Sequence, residues 1–144
     1  MPRIANRVAP YGITIFSEIN ELAAQHKAVN LGQGRPDFAA PADIVQAAVR
    51  ALNEGKANQS PPGIGMPSLR EAVAAHTSRF YGLEIDPKAS VLVTAGATEG
   101  VFSSVMGLVD KGDEVIVIEP YFDSYVPNIT FAGAVPVYVP LHPP

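Results

Sequence analysis

Three short stretches of this 144-residue chain carry residue types that could do chemistry. The first is Val93-Thr-Ala-Gly-Ala-Thr-Glu-Gly100, in which Gly96 and the alanines beside it keep the backbone bare. Thr98 and Glu99 offer capping chemistry for a helix. The apolar run 91–93 precedes this stretch, and Val101, Phe102, Val105, Leu108 and Val109 follow it at helical spacing. A helix that begins just past a buried parallel strand aims unpaired amides, and the positive end of its dipole, into the crevice above the sheet. Gly96, Ala97 and Thr98 are therefore expected to hold an anion, most often a phosphate. The competing reading is a tight strand-to-helix turn with Thr98 as a plain cap. The second stretch is Tyr121-Phe122, just beyond the apolar run 115–118. An aromatic ring there can stack on a planar heterocycle, although core packing accounts for most phenylalanines. The third is Gly32-Gln-Gly34, a loop whose glycines let backbone approach a ligand, or simply a loop that needs a flexible backbone.

Several other chemistries are excluded. His26, His76 and His142 lie far apart and lack paired metal-ligand spacing. Asp113-Glu114 reads as a solvated turn, and Asp37 and Glu119 flank prolines as loop-orienting groups. Ser103-Ser104 lacks the Gly-x-Ser-x-Gly elbow of a serine hydrolase, and no Gly-x-Gly-x-x-Gly follows a strand. The absence of cysteine removes disulfides and thiolate metal sites, and argues against an oxidising compartment. A net charge of -4 with scattered Lys and Arg leaves no nucleic-acid footprint. No run reaches the length of a membrane span, and residues 1–16 lack a signal-peptide core, so no membrane partner and a cytoplasmic location are expected. With 47% hydrophobic and 17% charged residues, the composition is that of a soluble globular protein.

The elements that must position these stretches follow from periodicity and punctuation. An extended arm covers 1–12, and a helix runs from Thr14 to about His26 on Ile15, Phe16, Ile19, Leu22 and Ala23. Pro41 opens a second helix that Gly55 ends. A third starts at Pro67, or at a Ser68/Glu71 capping box, turns Leu69, Val73, His76 and Phe80 inward, and closes at Gly82. Strands are expected at 91–94, 114–119 and 134–139, with Pro136 marking an edge or an end, and a short helix before Gly133. Strands alternating with helices imply a parallel α/β sheet. Three strands without the next crossover leave that sheet incomplete, with an unpaired edge prone to association.

Five collinear motifs carry a family resemblance: Asn30-Leu-Gly-Gln-Gly-Arg-Pro-Asp-Phe38, Gly63-x-Gly65-x-x-x-Leu69-Arg70, Val93-Thr-Ala-Gly-Ala-Thr-Glu-Gly100, Gly112-Asp-Glu-Val115 and Glu119-Pro-Tyr-Phe-Asp-Ser-Tyr125. From Tyr11 to Pro143 the chain resembles the N-terminal part of class I/II aminotransferases, fold-type I pyridoxal-phosphate enzymes, on the kynurenine and methionine aminotransferase branch. The resemblance implies a three-layer α/β/α, mainly parallel sheet, here incomplete. It makes residues 1–40 an arm, helix and substrate loop, and 41–144 the first part of the cofactor-binding large domain. It implies transfer of an amino group from an amino acid to a 2-oxo acid. The phosphate of pyridoxal 5'-phosphate would rest on Gly96, Ala97 and Thr98. Phe122 would stack on the pyridine with Tyr121 beside it, and the backbone of Gly34 would lie next to the substrate's α-carboxylate. A homodimer is implied because family sites are completed across a two-fold interface.

Two departures stand out. Arg35 occupies a position where relatives often carry a bulky apolar residue; an exposed loop arginine is usually just solvated, and the alternative is that it favours acidic or polar substrates. Ser60 replaces a tyrosine whose phenol reaches the partner subunit's phosphate. The family's Schiff-base lysine, ring-nitrogen carboxylate and substrate arginine belong downstream of Pro144. Lys27, Lys56, Lys88 and Lys111 do not match that lysine, so the chain by itself is expected to be non-catalytic. β-Lyase and synthase chemistries of the same superfamily fit this part equally. A short phosphate-ligand-binding α/β module, or a degenerate remnant, is the alternative.

Overall fold

The structure, a computed structural model, describes residues 4–55 and 58–143. The elements in order are α1 (Ile15–His26), α2 (Ala42–Asn53), α3 (Pro67–Tyr81), α4 (Gly96–Leu108), β1 (Glu114–Glu119), α5 (Tyr125–Phe131) and β2 (Val135–Pro140). They fall into two compact units, residues 1–34 with 95–144, and residues 35–94.

In the first unit β1 and β2 pair in parallel, with Glu114 opposite Val135 and Glu119 opposite Pro140. The crossover between them is α5. Successive side chains of a strand alternate between faces, and this divides β1 in two. Val115 and Val117 face a core made with Ile129 and Ala134, to which Val109 and Val126 add. Ile116 and Ile118 are exposed, at 69% and 56%. Burial of Val117 and Ile129, each 3% exposed, contributes about 2 kcal/mol per side chain. Pro136 sits in β2, which has one strand neighbour among the described residues, where a missing N–H is tolerated.

Local signals set the helix ends. The Thr14 hydroxyl accepts the Ser17 N–H at 3.2 Å to start α1, and Lys27 at φ 49 ends it in the left-handed region. α4 begins at Gly96, two residues before Thr98, so Thr98 lies inside the first turn and does not cap it. The cap position is Ala95, whose N–H is bound by the Glu99 carboxylate.

The second unit corrects two expectations. Residues 91–94 form no strand. Among the described residues this unit holds no other strand to supply a ladder. The Val93 N–H goes instead to the Ile64 carbonyl at 3.2 Å, and the Val91 carbonyl accepts the Arg70 Nε–H at 3.0 Å. The inward stripe of α3 is also different. Arg70 and Ala74 are buried, whereas Leu69, Val73 and Phe80 are exposed and His76 stacks on Phe80 at 4.4 Å. The cause is the Arg70 guanidinium, which also donates to the Lys88 carbonyl at 2.6 Å and so draws segment 88–91 over that side of the helix. Of the two possible starts of α3 the structure takes the proline, with Pro67 in the first turn after Met66.

Gly65 is the tight point of this unit. It has φ +97, and a Cβ there would stand 2.5 Å from Val93 Cγ2 and 2.6 Å from Val93 Cβ. Gly65→Ala is expected to cost about 2 kcal/mol through strain and overpacking. Gly63→Ala, whose Cβ meets nothing within 4 Å, should stay within about 0.5 kcal/mol of the parent. Denaturant midpoints of the two variants check this, and equal losses would count against it.

Candidate active site

The site is built on the first turn of α4. Gly96 has φ +81, which a residue with a Cβ adopts only under strain, and nothing lies within 4 Å of where that Cβ would be. The amides of Ala97 and Thr98 follow in a turn where the helix supplies no i−4 carbonyl to receive them. The helix dipole adds positive potential at the same place. The Glu99 carboxylate accepts the Ala95 N–H and so fastens the start of the turn.

Thr98 lines a cavity of about 530 Å³ together with Phe122, Asp123 and Ser124 of the β1–α5 connection and the segment 11–16. That volume is in the range of small-molecule sites. Phe122 is 43% exposed and so stands apart from the buried core. Its ring lies 5.7 Å from that of Phe16, tilted by 36°, and 5.9 Å from that of Tyr125. The Ser124 hydroxyl is buried and has no hydrogen-bond partner among the described residues. Tyr121 goes elsewhere. Its ring lies 5.9 Å from that of Tyr138, and it does not line the cavity. The Tyr138 phenol is pushed above its ordinary value, first by desolvation and then by Tyr121, Glu119 and Tyr11.

The structure thus brings Thr98 and Phe122 to one cavity. Gly34 is not among its lining residues, and the space around it is open. The loop before it is tied to α1: the Gln33 amide donates to the Phe16 carbonyl at 3.4 Å, and Asn30 Nδ2 donates to Asn20 at 2.6 Å. Gly32 serves packing, since a Cβ there would stand 2.7 Å from Ile19 Cγ2. In the other unit, Arg35 and Ser60 are exposed. Lys27 caps α1, the Lys88 N–H is held by Asp86 at 2.8 Å, and Lys56 lies outside the described residues. No lysine or histidine lines the cavity among the described residues. These residues also contain no group of three His, Asp or Glu placed to hold a metal, and no helix long and apolar enough to cross a membrane.

Sequence reasoning missed Tyr11, Asp123 and Ser124 as cavity residues and read Phe16 only as part of a helix stripe. Tyr11 sits in an arm without periodicity, so nothing local marks it. Asp123 and Ser124 could have been found from their place directly after Phe122.

Comparison with known proteins shows the family of the chain. The profile of the family described as aminotransferase class I and II matches residues 26–144. The chain is 49% identical over 138 residues to a probable N-succinyldiaminopimelate aminotransferase of Mycobacterium tuberculosis, covering 96% of this chain and 34% of that protein. It is 41% identical over 139 residues to the methionine aminotransferase of Escherichia coli, covering 96% and 36%. The solved structure of the N-succinyldiaminopimelate aminotransferase from Mycobacterium tuberculosis superposes with a TM-score of 0.90 at 48% identity, over 99% of this chain and 37% of that one. The chain therefore spans about a third of the length of the curated relatives it matches. Their fold is the fold-type I α/β architecture, of which the parallel β1–β2 pair and the five helices form a part, and enzymes of this family work with pyridoxal 5'-phosphate. Over most of its length and in its backbone course, this chain belongs to the class I and II aminotransferases.

Proposed function

We propose that this chain is the N-terminal, ligand-holding part of a pyridoxal-phosphate aminotransferase that moves an amino group from an amino acid to a 2-oxo acid. One observation carries the reading: Thr98, in the first turn of α4, and Phe122, beyond β1, line the same cavity. The residues present fit the cofactor. Open space beside Gly96 admits a phosphate to the first-turn amides, and a half-exposed Phe122 ring can offer a flat face. In this reading the Ala97 and Thr98 amides bind the phosphate, the Thr98 hydroxyl assists them, and Phe122 lies against the pyridine. The Gly34 backbone borders the substrate's α-carboxylate. Bound pyridoxal phosphate supplies an electron sink for bonds broken at the substrate's α-carbon.

The division into an arm with a substrate loop (1–40) and the start of the large domain (41–144) belongs to this proposal. So do a homodimer, a cytoplasmic location and a Schiff-base lysine in the portion of the relatives beyond the matched third. The relatives' names suggest donors to try first, N-succinyldiaminopimelate and methionine, and Arg35 favours the acidic one.

The test uses the full-length protein loaded with cofactor. Addition of a donor amino acid should shift the cofactor's absorbance and release the matching 2-oxo acid. A protein that binds the cofactor but shows neither response with acidic, apolar or aromatic donors overturns the transfer reading.

Two substitutions test the cofactor contacts. Phe122→Ala should weaken cofactor binding about tenfold, the equivalent of a stacking contact of about 1.4 kcal/mol; unchanged affinity would return Phe122 to packing. Gly96→Val should abolish retention by closing the open side of the turn, and normal retention would remove the phosphate assignment.

A further inference from the structure

The arm expected to be extended instead turns at residues 6–10. The Val8 and Ala9 N–H groups donate there to the Ala5 carbonyl and the Tyr11 N–H to the Val8 carbonyl, and Tyr11 fastens the arm to α5. The Tyr11 hydroxyl lies 2.6 Å from Thr130 Oγ1, joining residues 119 apart in sequence. Thr130 Oγ1 is also 2.9 Å from the Pro127 carbonyl and 3.1 Å from the Val126 carbonyl, the back-bonds of a helical threonine. A hydroxyl has one proton and two lone pairs. With the Thr130 proton committed to those carbonyls, its oxygen accepts and Tyr11 donates. The Tyr11 ring meets the next residue, Phe131, edge-on at 5.8 Å and 90°. The phenol is therefore seated on two successive residues at the end of α5.

What it fastens is a wall of the cavity. Segment 11–16 lines the cavity that Thr98 and Phe122 also line. Burial alone holds the segment weakly, because Ile13 is 80% exposed and Ile15 53%. At its far end the Thr14 cap and the Phe16–Phe122 ring contact fix the start of α1. Tyr11 fixes the near end.

We infer that the Tyr11–Thr130 hydrogen bond is a positioning latch, which holds segment 11–16 as a wall of the site and so sets how closely the amino donor is enclosed. The part of this concerning the donor rests on the aminotransferase reading; the latch itself does not. Tyr11 acts through the segment it holds and carries no proton to the reacting atoms.

The experiment takes the full-length, cofactor-loaded protein with Tyr11→Phe, Thr130→Val, Thr130→Ser and the Tyr11→Phe/Thr130→Val pair. Amide hydrogen exchange over residues 12–17 is measured without donor, and KM and kcat with the best donor. Loss of one hydrogen bond should speed exchange there about fivefold in Tyr11→Phe and in Thr130→Val. The pair should exceed neither single variant, since both remove the same bond. Thr130→Ser keeps the hydroxyl and should behave as the parent. KM should rise about three- to tenfold with kcat within about twofold, the split expected when ground-state enclosure is lost.

Unchanged exchange in both single variants overturns the latch. So does a Thr130→Ser effect as large as that of Thr130→Val, additive effects in the pair, or raised exchange with KM unmoved. A parent that transaminates no donor sinks the aminotransferase reading instead, and the exchange data alone then decide the latch.

Discussion

Parallel pairing of β1 and β2 is the constraint on which the first unit depends. Two parallel strands cannot be joined by a tight turn, so the chain must leave the end of β1 and return along a crossover, here α5. The core of Val117, Ile129 and Ala134 contains one residue from the strand, one from the crossover and one from the approach to β2. It therefore holds the crossover against the sheet at a single place. The loop that begins the crossover carries Phe122, Asp123 and Ser124, and these arrive at the cavity because the crossover has to start there. The Tyr11 phenol then uses the far end of the same helix as its anchor.

Electrostatics act on a separate element. The first turn of α4 offers amides and dipole to an anion, yet Glu99 puts a carboxylate on the same turn. The carboxylate's bond to the Ala95 N–H reconciles the two. It places the negative charge on a donor at the helix start, where a carboxylate is favourable.

The chain's local grammar was readable, and its long-range contacts were not. Thr14, Pro67 and Gly82 act on their own neighbours, so the ends of α1 and α3 could be taken from sequence. β1 was legible because a continuous run of Val and Ile lies between Glu114 and Glu119, although the run did not show which face would be buried. The run 91–94 is also largely apolar, but a strand is a property of a pair, and its carbonyl at Val91 went to Arg70. Apolar spacing also failed on α3, where one buried guanidinium bound to two backbone carbonyls outweighed a stripe of partly exposed apolar groups. Thr98 and Phe122 were named from motifs whose spacing along the chain could be read. That they line one cavity follows from tertiary structure, as does the place of Tyr11, whose partner lies 119 residues away.

The lining of the cavity limits the chemistry that its own groups can do. Its lining combines aromatic and aliphatic residues with the polar residues Thr98, Asp123 and Ser124. Such groups bind, orient and exclude water. None is an amine or an imidazole able to carry a proton to and from a carbon at neutral pH. A site divided in this way separates affinity from turnover. Contacts made equally in the ground state and the transition state alter Kd and KM, whereas proton transfer alters kcat. Under the proposed function, the residues of this cavity would therefore act on how firmly ligands are held and how well they are enclosed, and would alter turnover only by misplacing the bound ligand.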